Sequence, residues 1–409
     1  MTRFEAPRGT HDITPAEWPA WRRVLEAAED LCARYGYRRI QTPGFEDTEL
    51  FARTSGTGSD VVQKEMYTFT DRGDRSLTLR PEGTAPIARA YLEHGMHREP
   101  QPVKLYTIAT MYRFAAPQRG RYREHWQLSV EAIGSDDPAI DAEIIQLYDE
   151  LLRTLGARGY RLLLNSIGDR ACRPAYVEAL EAWLDAHDDV LDDDARQKRA
   201  TSPLRVFDVK DERVQQALAE APTIGDALCD ACREHFEAVR RYLDAYGVAY
   251  ELAPTLVRGL DYYTRTAFEF VDEAIGAQSA IVGGGRYDYL VEELGGPPTS
   301  GIGFGAGIER LLLSLGEEEG GRPHAEVFFA VENDAPRERV LALMAELRRQ
   351  GRACDTDYAG RSLKGQLTQA GRLGAATTVI ARADHATVRR AGERDVDVPY
   401  GELAATLAR

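Results

Sequence analysis

Residues 103–132 read VKLYTIATMYRFAAPQRGRYREHWQLSVEA: two extended runs separated by a polar, glycine-bearing loop. The first run, 103–114, is rich in β-branched and aromatic residues, which sit well on a pleated surface. In the return run, 122–132, a period of two puts Tyr122, Glu124, Trp126, Leu128 and Val130 on one side. Arg123, His125, Gln127, Ser129 and Glu131 fall on the other, which is therefore polar along its whole length. A solvated face has the same pattern. Apolar sequence resumes on both flanks, however, so the sharper reading is the floor of a ligand site.

Outward from this pair, extended and helical segments keep alternating. Residues 15–35 carry Trp18, Trp21, Val24, Leu25, Ala28 and Leu31 at helical spacing, and the glycine of RYGYRRI stops the helix before an extended stretch. MYTFTD and SLTLRPEGTA read as short strands joined by the turn DRGD, with a helix over 85–94. Residues 140–155 are helical and RLLLNSIG is strand-like. The charged stretch 173–220, with its run DDVLDDD, is mostly helical, so 165–235 reads as a peripheral or inserted helical element. A second strand set runs through VAYELAP, LVRGLDYYTRTAFEFV, SAIVGGGRYDYLV and GIGFGAGIERLLLSL. Antiparallel strands bracketed by helices predict an α+β fold, not a doubly wound sheet.

The polar stretch GEEEGGRP, 316–323, reads as a linker. It divides a catalytic-sized domain, 1–320, from a segment 323–409 in which strand and helix alternate as in a small α/β domain. Over the 409 residues the formal charge is −15, which repels polyanions and argues against a nucleic-acid coat protein. From 323 onward, though, 13 Lys/Arg face 12 Asp/Glu, so the last segment is electrically distinct. Five scattered cysteines do not form a secreted disulfide framework, and cytoplasmic residence is the expectation. Cys229 and Cys232 make a CDAC pair without a second pair in the sequence. The pair reads as part of a helix, LCDACREHFEAVRRYL, and no metal site is expected. No run of 18 apolar residues suggests a membrane span.

Four constellations place an arginine beside apolar sequence: RPEGTA at Arg80, YRF with QRGRYR at Arg113 and Arg121, RGLDYY at Arg258, and GIERL at Arg310. A guanidinium is costly to bury unless it meets an anion, and its planar fork suits phosphate oxygens. Taken together, these arginines converging on one sheet make a triphosphate site, although each alone reads equally as a structural ion pair. The glycines of GGGRYD and GFGAGIER fall where strand turns or ends, and predict close approach of backbone to a flat ligand. Neither matches a phosphate loop or a dinucleotide fingerprint.

On these residues the chain resembles the bacterial-type histidyl-tRNA synthetases, a family of class II aminoacyl-tRNA synthetases. The likeness runs from RGTHDITP and YGYRRIQTPGFEDTELF through KEMYTFTDRG and LTLRPEGTA to SLKGQLTQAGRLGA, and its most specific blocks are LVRGLDYYTRTAFEF and GGGRYD. The resemblance implies a class II antiparallel sheet with a helical insertion and a C-terminal α/β anticodon-binding domain. It also implies ATP as substrate with Mg²⁺, L-histidine and tRNA(His) as partners, and a homodimer. By the same resemblance, Glu82, Thr84 and Gln127 receive the substrate ammonium, Glu131 and Tyr263 address the imidazole, and Tyr262 and Arg258 complete the histidine-binding set. Arg113 and Arg258 act at the α-phosphate, Arg310 at the γ-phosphate and Arg121 on the outer phosphates. Arg361, Lys364 and Arg372 are the corresponding candidates for contacts to the RNA backbone.

One departure stands out. Where the family reads Arg, then His or Tyr, then Glu-Arg-Pro-Gln, this chain reads Arg113, Phe114, Ala115, Ala116, Pro117, Gln118, without the Glu and Arg that help position ATP and the acceptor end. A catalytically silent paralogue serving as a regulatory subunit of histidine biosynthesis is the rival reading. Such paralogues generally lose the RGLDYY-type block and the C-terminal domain, and both are present here. A ligase of another amino acid is the third reading.

Overall fold

The computed structural model describes residues 4–54, 56, 61–116, 118–209, 211–276, 279–316, 325–332 and 335–407. The chain divides into two compact units, Met1–Glu318 and Glu319–Arg409. All of the expected linker beyond Gly316 lies outside the described residues.

In the first unit, α1 (Trp18–Arg34) turns Trp21, Val24, Ala28, Leu31 and Cys32 inward. That stripe is consumed by the core of its own chain, so it says nothing about a second copy. The short strand β1 (Arg38–Arg39) follows, then β2 (Phe45–Asp47) and α2 (Thr48–Thr54). β2, β3 (Tyr67–Thr70) and β4 (Ser76–Leu79) form a small antiparallel sheet. The expected DRGD turn closes it: the Asp71 carboxylate accepts from the amides of Gly73 at 2.8 Å and Arg75 at 3.0 Å, and Asp74 takes the left-handed φ of 58°.

After α3 (Thr84–Glu93) come the two strands that opened the sequence reading, β5 (Val103–Tyr112) and β6 (Glu124–Ile133), paired antiparallel. Next are α4 (Pro138–Thr154) and β7 (Arg161–Ser166), and then the helical insertion with α5 (Arg173–Ala186), α6 (Asp193–Thr201) and α7 (Glu212–Leu218). This insertion has its own small core around Tyr176, Leu180, Leu184, Val206, Val214 and Leu218. The chain returns through α8 (Asp230–Tyr246), β8 (Glu251–Leu252), β9 (Thr264–Val271), β10 (Ala280–Tyr287), α9 (Leu290–Glu293), β11 (Gly301–Gly307) and α10 (Ile308–Leu315). VAYELAP yields only the two residues of β8, and RGLDYY is a loop leading into β9, not strand.

Among the described residues the large sheet has the order β1-β5-β6-β11-β10-β9-β7-β8, antiparallel except where β1 and β8 join its edges. The expected α+β class II architecture is what the chain adopts. One face of the sheet, carrying Leu128, Val130, Phe268, Phe304 and Val282, packs on α1, α4 and α8 in the main hydrophobic core. The opposite face packs partly on α3 through Ile87, Tyr91, Leu105 and Tyr287, and elsewhere stays polar.

Among the described residues the second unit has a mixed five-stranded sheet. Its strands and helices are β12 (Val327–Val331), α11 (Arg337–Arg349), β13 (Cys354–Thr356), α12 (Leu363–Arg372), β14 (Thr377–Ala381), β15 (His385–Arg390), β16 (Val396–Pro399) and α13 (Tyr400–Leu407). β12 runs parallel to β13 and β14, whereas β15 and β16 add an antiparallel hairpin.

Candidate active site

The division of β6 into two faces places His125 and Gln127 on a cavity of about 290 Å³ above the sheet. Gln127 is held there by donating to Ser129 Oγ at 2.9 Å. The glycines of β10 and β11 help to make this floor, and Gly283, Gly305 and Gly307 line the cavity themselves. A Cβ on Gly283 would fall inside the Arg258 guanidinium, and one on Gly303 would fall inside the Glu131 carboxylate. The bare strands therefore let side chains from neighbouring elements lie flat on the sheet.

Glu82 and Thr84 enter from the start of α3. The Glu82 carboxylate accepts from the amides of Thr84 at 2.6 Å and Ala85 at 2.9 Å, satisfying orphan donors of the helix terminus. Burial nevertheless holds its pKa above the ordinary carboxyl value. Thr84 Oγ1 donates to Glu131 at 2.7 Å, and Tyr287 OH donates to the other Glu131 oxygen at 2.7 Å. Glu131 is wholly buried, and burial pushes its pKa up to about 8. The cavity is lined by Thr84, and Glu131 meets it through that hydroxyl. Tyr262 and Tyr263 do line the cavity, their rings 4.6 Å apart.

The cavity also gathers Arg113, Arg121, Arg258 and Arg310. Arg113 stands just after β5, its Nε donating to Pro81 O at 2.7 Å. Arg121 pairs with Glu65 at 2.8 Å. Arg310 sits in the first turn of α10, where burial and the nearby Arg121 depress its pKa. Arg258 lies over Gly283, 3.7 Å from Glu269, and its buried Nε has no hydrogen-bond partner among the described residues. A buried donor left without an acceptor costs about 1–3 kcal/mol, and an incoming anion would remove that cost. Arg80 behaves differently. It is buried, donates to the carbonyls of Thr110 at 2.8 Å and Thr42 at 2.9 Å, and takes no part in the cavity.

His125, Glu309 and Glu269 also line the cavity, without a role assigned from the sequence. His125 is held neutral, its pKa pushed down to about 3 by burial and then by Arg113. Its place on the polar face of β6 was the available signal. Glu309 precedes Arg310, accepts from the Trp126 amide at 2.9 Å, and is raised by burial to about 7. Glu269, on β9, faces Arg258. The altered stretch after Arg113 is structurally accommodated: the half-exposed Phe114 ring meets Tyr67 edge-on at 5.7 Å and carries the Arg123 guanidinium 3.8 Å from its centre. Ala115 lines the cavity, while Pro117 lies outside the described residues. In the second unit, Lys364 and Arg372 are exposed at the two ends of α12, and Arg361 is paired with Asp357 at 2.5 Å. Among the described residues no helix is long and apolar enough to cross a membrane.

A family profile described as histidyl-tRNA synthetase matches residues 9–311. The histidine–tRNA ligase of Desulforamulus reducens is 48% identical over 377 residues, covering 91% of this chain and 90% of that protein. The apo crystal structure of Staphylococcus aureus histidyl-tRNA synthetase superposes with a TM-score of 0.83 at 36% identity, covering both chains fully. A Bacillus halodurans structure, titled as an ATP phosphoribosyltransferase regulatory subunit/histidyl-tRNA synthetase, reaches 0.64 at 23% identity and shares the fold alone.

Proposed function

The chain belongs to the histidyl-tRNA synthetase family, and from that premise we propose how its cavity performs ATP-dependent ligation of histidine to tRNA(His). The regulatory reading is set aside, since ligases are nearly half identical to this chain over nine-tenths of its length, whereas the regulatory-subunit likeness extends to the fold only. The observation that carries the mechanism is the meeting of Arg113, Arg121, Arg258 and Arg310 with Glu82, Thr84, Gln127, Tyr262 and Tyr263 around one cavity.

In the first step the histidine carboxylate attacks the α-phosphorus of ATP, forming histidyl-adenylate and releasing pyrophosphate. The nucleophile is already ionised, so no protein base is required. The chemistry instead needs charge stabilisation and in-line geometry. Arg258 and Arg113 face the α-phosphate, and Arg310 and Arg121 the outer phosphates. Glu82, Thr84 and Gln127 hold the ammonium. Tyr263, beside Tyr262 and above the Thr84–Glu131–Tyr287 chain, reads the imidazole by hydrogen bonding, a mode that rejects analogues lacking the polar atoms by ~10⁴-fold or more. Mg²⁺ accompanies ATP and would neutralise phosphate charge. The oxygen donors Glu309 and Glu269, both lining the cavity, suit such a hard cation. In the second step the histidyl group passes to the ribose of the terminal adenosine, with AMP leaving. The second unit serves as the anticodon-binding domain, and the ligase works as a cytoplasmic homodimer.

The test is histidine-dependent exchange of labelled pyrophosphate into ATP, followed by charging of tRNA(His) transcript. Exchange with histidine alone among the amino acids is expected. Exchange with a different amino acid, or none, would refute this function.

A further inference from the structure

The CDAC pair does lie on a helix, as expected, but it is not alone in space. Cys229 caps the N-terminus of α8 and Cys232 lies in its first turn, while Asp169 and Cys172 come from the loop between β7 and α5. One potential ligand atom from each of these four residues lies within 4.8 Å of every other. Cys172 Sγ is 3.9 Å from Cys232 Sγ and 3.7 Å from an Asp169 oxygen. A tetrahedral zinc with bonds of about 2.3 Å to sulfur requires edges of about 3.8 Å between sulfurs. We propose that Asp169, Cys172, Cys229 and Cys232 form a structural zinc site of the Cys₃Asp type.

Several features favour a cation over a disulfide. A disulfide needs two sulfurs at about 2.05 Å. Here three thiols and a carboxylate converge, three of the four residues are buried, and all five cysteines of the chain are unpaired. The remaining cysteines, Cys32 and Cys354, belong to other cores. Asp169 already has an outer partner: its second oxygen is 3.5 Å from Arg265 Nη2, and its first accepts from the Ala171 amide at 2.9 Å. Outer contacts of this kind fix a ligand's orientation.

The site also has work to do. The insertion core is small, and small cores commonly need a metal or disulfide staple. Zinc here would clamp both ends of the insertion to the sheet. The same loop is paired with β9 through reciprocal 2.7 Å bonds between Ile167, Gly168 and Arg265, and Arg173 donates to Tyr263 O at 2.7 Å. A cation at this junction therefore steadies the backbone that presents Tyr263 to the cavity.

The full chain, purified without a metal-binding tag and reconstituted with Zn²⁺ under reducing conditions, is expected to retain about one zinc after gel filtration, read by elemental analysis. Cys229→Ser, at the least buried ligand, should weaken retention at least about tenfold while the circular dichroism stays native. Replacing Zn²⁺ with Co²⁺ in the wild-type chain should give tetrahedral ligand-field bands with thiolate charge transfer, which needs no variant to fold. Retention below about a tenth of an equivalent, octahedral cobalt spectra, or a thiol count two short after native purification would each overturn the proposal, the last in favour of a disulfide.

Discussion

Two fully buried carboxylates lie on opposite faces of the same sheet and have been pushed in opposite directions. On the core face, Asp141 of α4 meets Arg286 of β10 through Nε at 3.1 Å and again through Nη2, and accepts from His235 at 2.9 Å and Thr266 at 2.6 Å. Burial alone would raise its pKa, but Arg286 and His235 outweigh that and hold it below the ordinary range. On the cavity face, Glu131 has hydroxyl donors and, among the described residues, no cation beside it, and burial holds it at about 8. Arg258 is its counterpart among the cations, with a buried Nε lacking an acceptor among the described residues, whereas Arg286 is closed in by Asp141, Asp288 and the carbonyls of Ser135 and Asp137. The Asp141–Arg286 cluster on the core face is satisfied by its own neighbours. The cavity face is not, and that deficit is what a charged substrate would fill.

The largest effect should come from the satisfied cluster. Arg286→Ala leaves Asp141 buried without its main cation and is expected to cost about 3–5 kcal/mol of folding stability, measured by denaturant unfolding. A variant as stable as the parent would break the contrast. Next, Arg258→Ala should lower pyrophosphate exchange by ~10²–10³-fold while leaving the unfolding midpoint nearly unchanged. If exchange stays at the parent rate, Arg258 holds no phosphate. Gly283→Ala puts a methyl where Arg258 lies, and a guanidinium displaced by about 1 Å should cost ~10–10² in kcat/KM. Normal kinetics there would mean that the arginine is placed some other way.

The smallest effect is a pH signature. Folded Glu131 keeps its proton up to about 8, whereas the unfolded chain releases it near 4.5. Between those values the folded state binds more protons, so stability falls as pH rises through the window. Asp141 has the opposite sign: its stabilisation is lost as pH falls through its depressed folded pKa. Glu131→Gln should therefore flatten the fall of the melting temperature between about pH 4.5 and 8 by a few degrees, and leave the loss at lower pH that belongs to Asp141 intact. An unchanged slope would locate that titration elsewhere.

Much of this was legible in the sequence. The two-residue period of 122–132 separates the faces of β6 correctly, and the arginine-bearing segments around Arg113, Arg258 and Arg310 do meet on one cavity. Depth was not legible. Periodicity assigns a side chain to a face without saying how far from solvent it ends: Gln127 reaches the cavity, whereas Glu131 on the same face of β6 is wholly buried. Arg80 has the same local sequence character as Arg113, and only the fold shows that backbone carbonyls take its donors. The approach of Asp169 and Cys172 to Cys229 and Cys232 was hidden for another reason: the whole insertion separates the two pairs along the chain. In the second unit the sequence shows only that strand and helix alternate, because β15, β16 and α13 are too short to carry much periodic signal.

The bare strands β10 and β11 also bear on how this site can change over generations. A single nucleotide change in a glycine codon that alters the residue always adds at least a Cβ, and at Gly283 or Gly303 that atom collides with the Arg258 guanidinium or the Glu131 carboxylate. Neither position has a harmless neighbour in codon space. Drift can rework the loops above this floor, but at those two positions the floor itself can change only if the side chain resting on it changes as well.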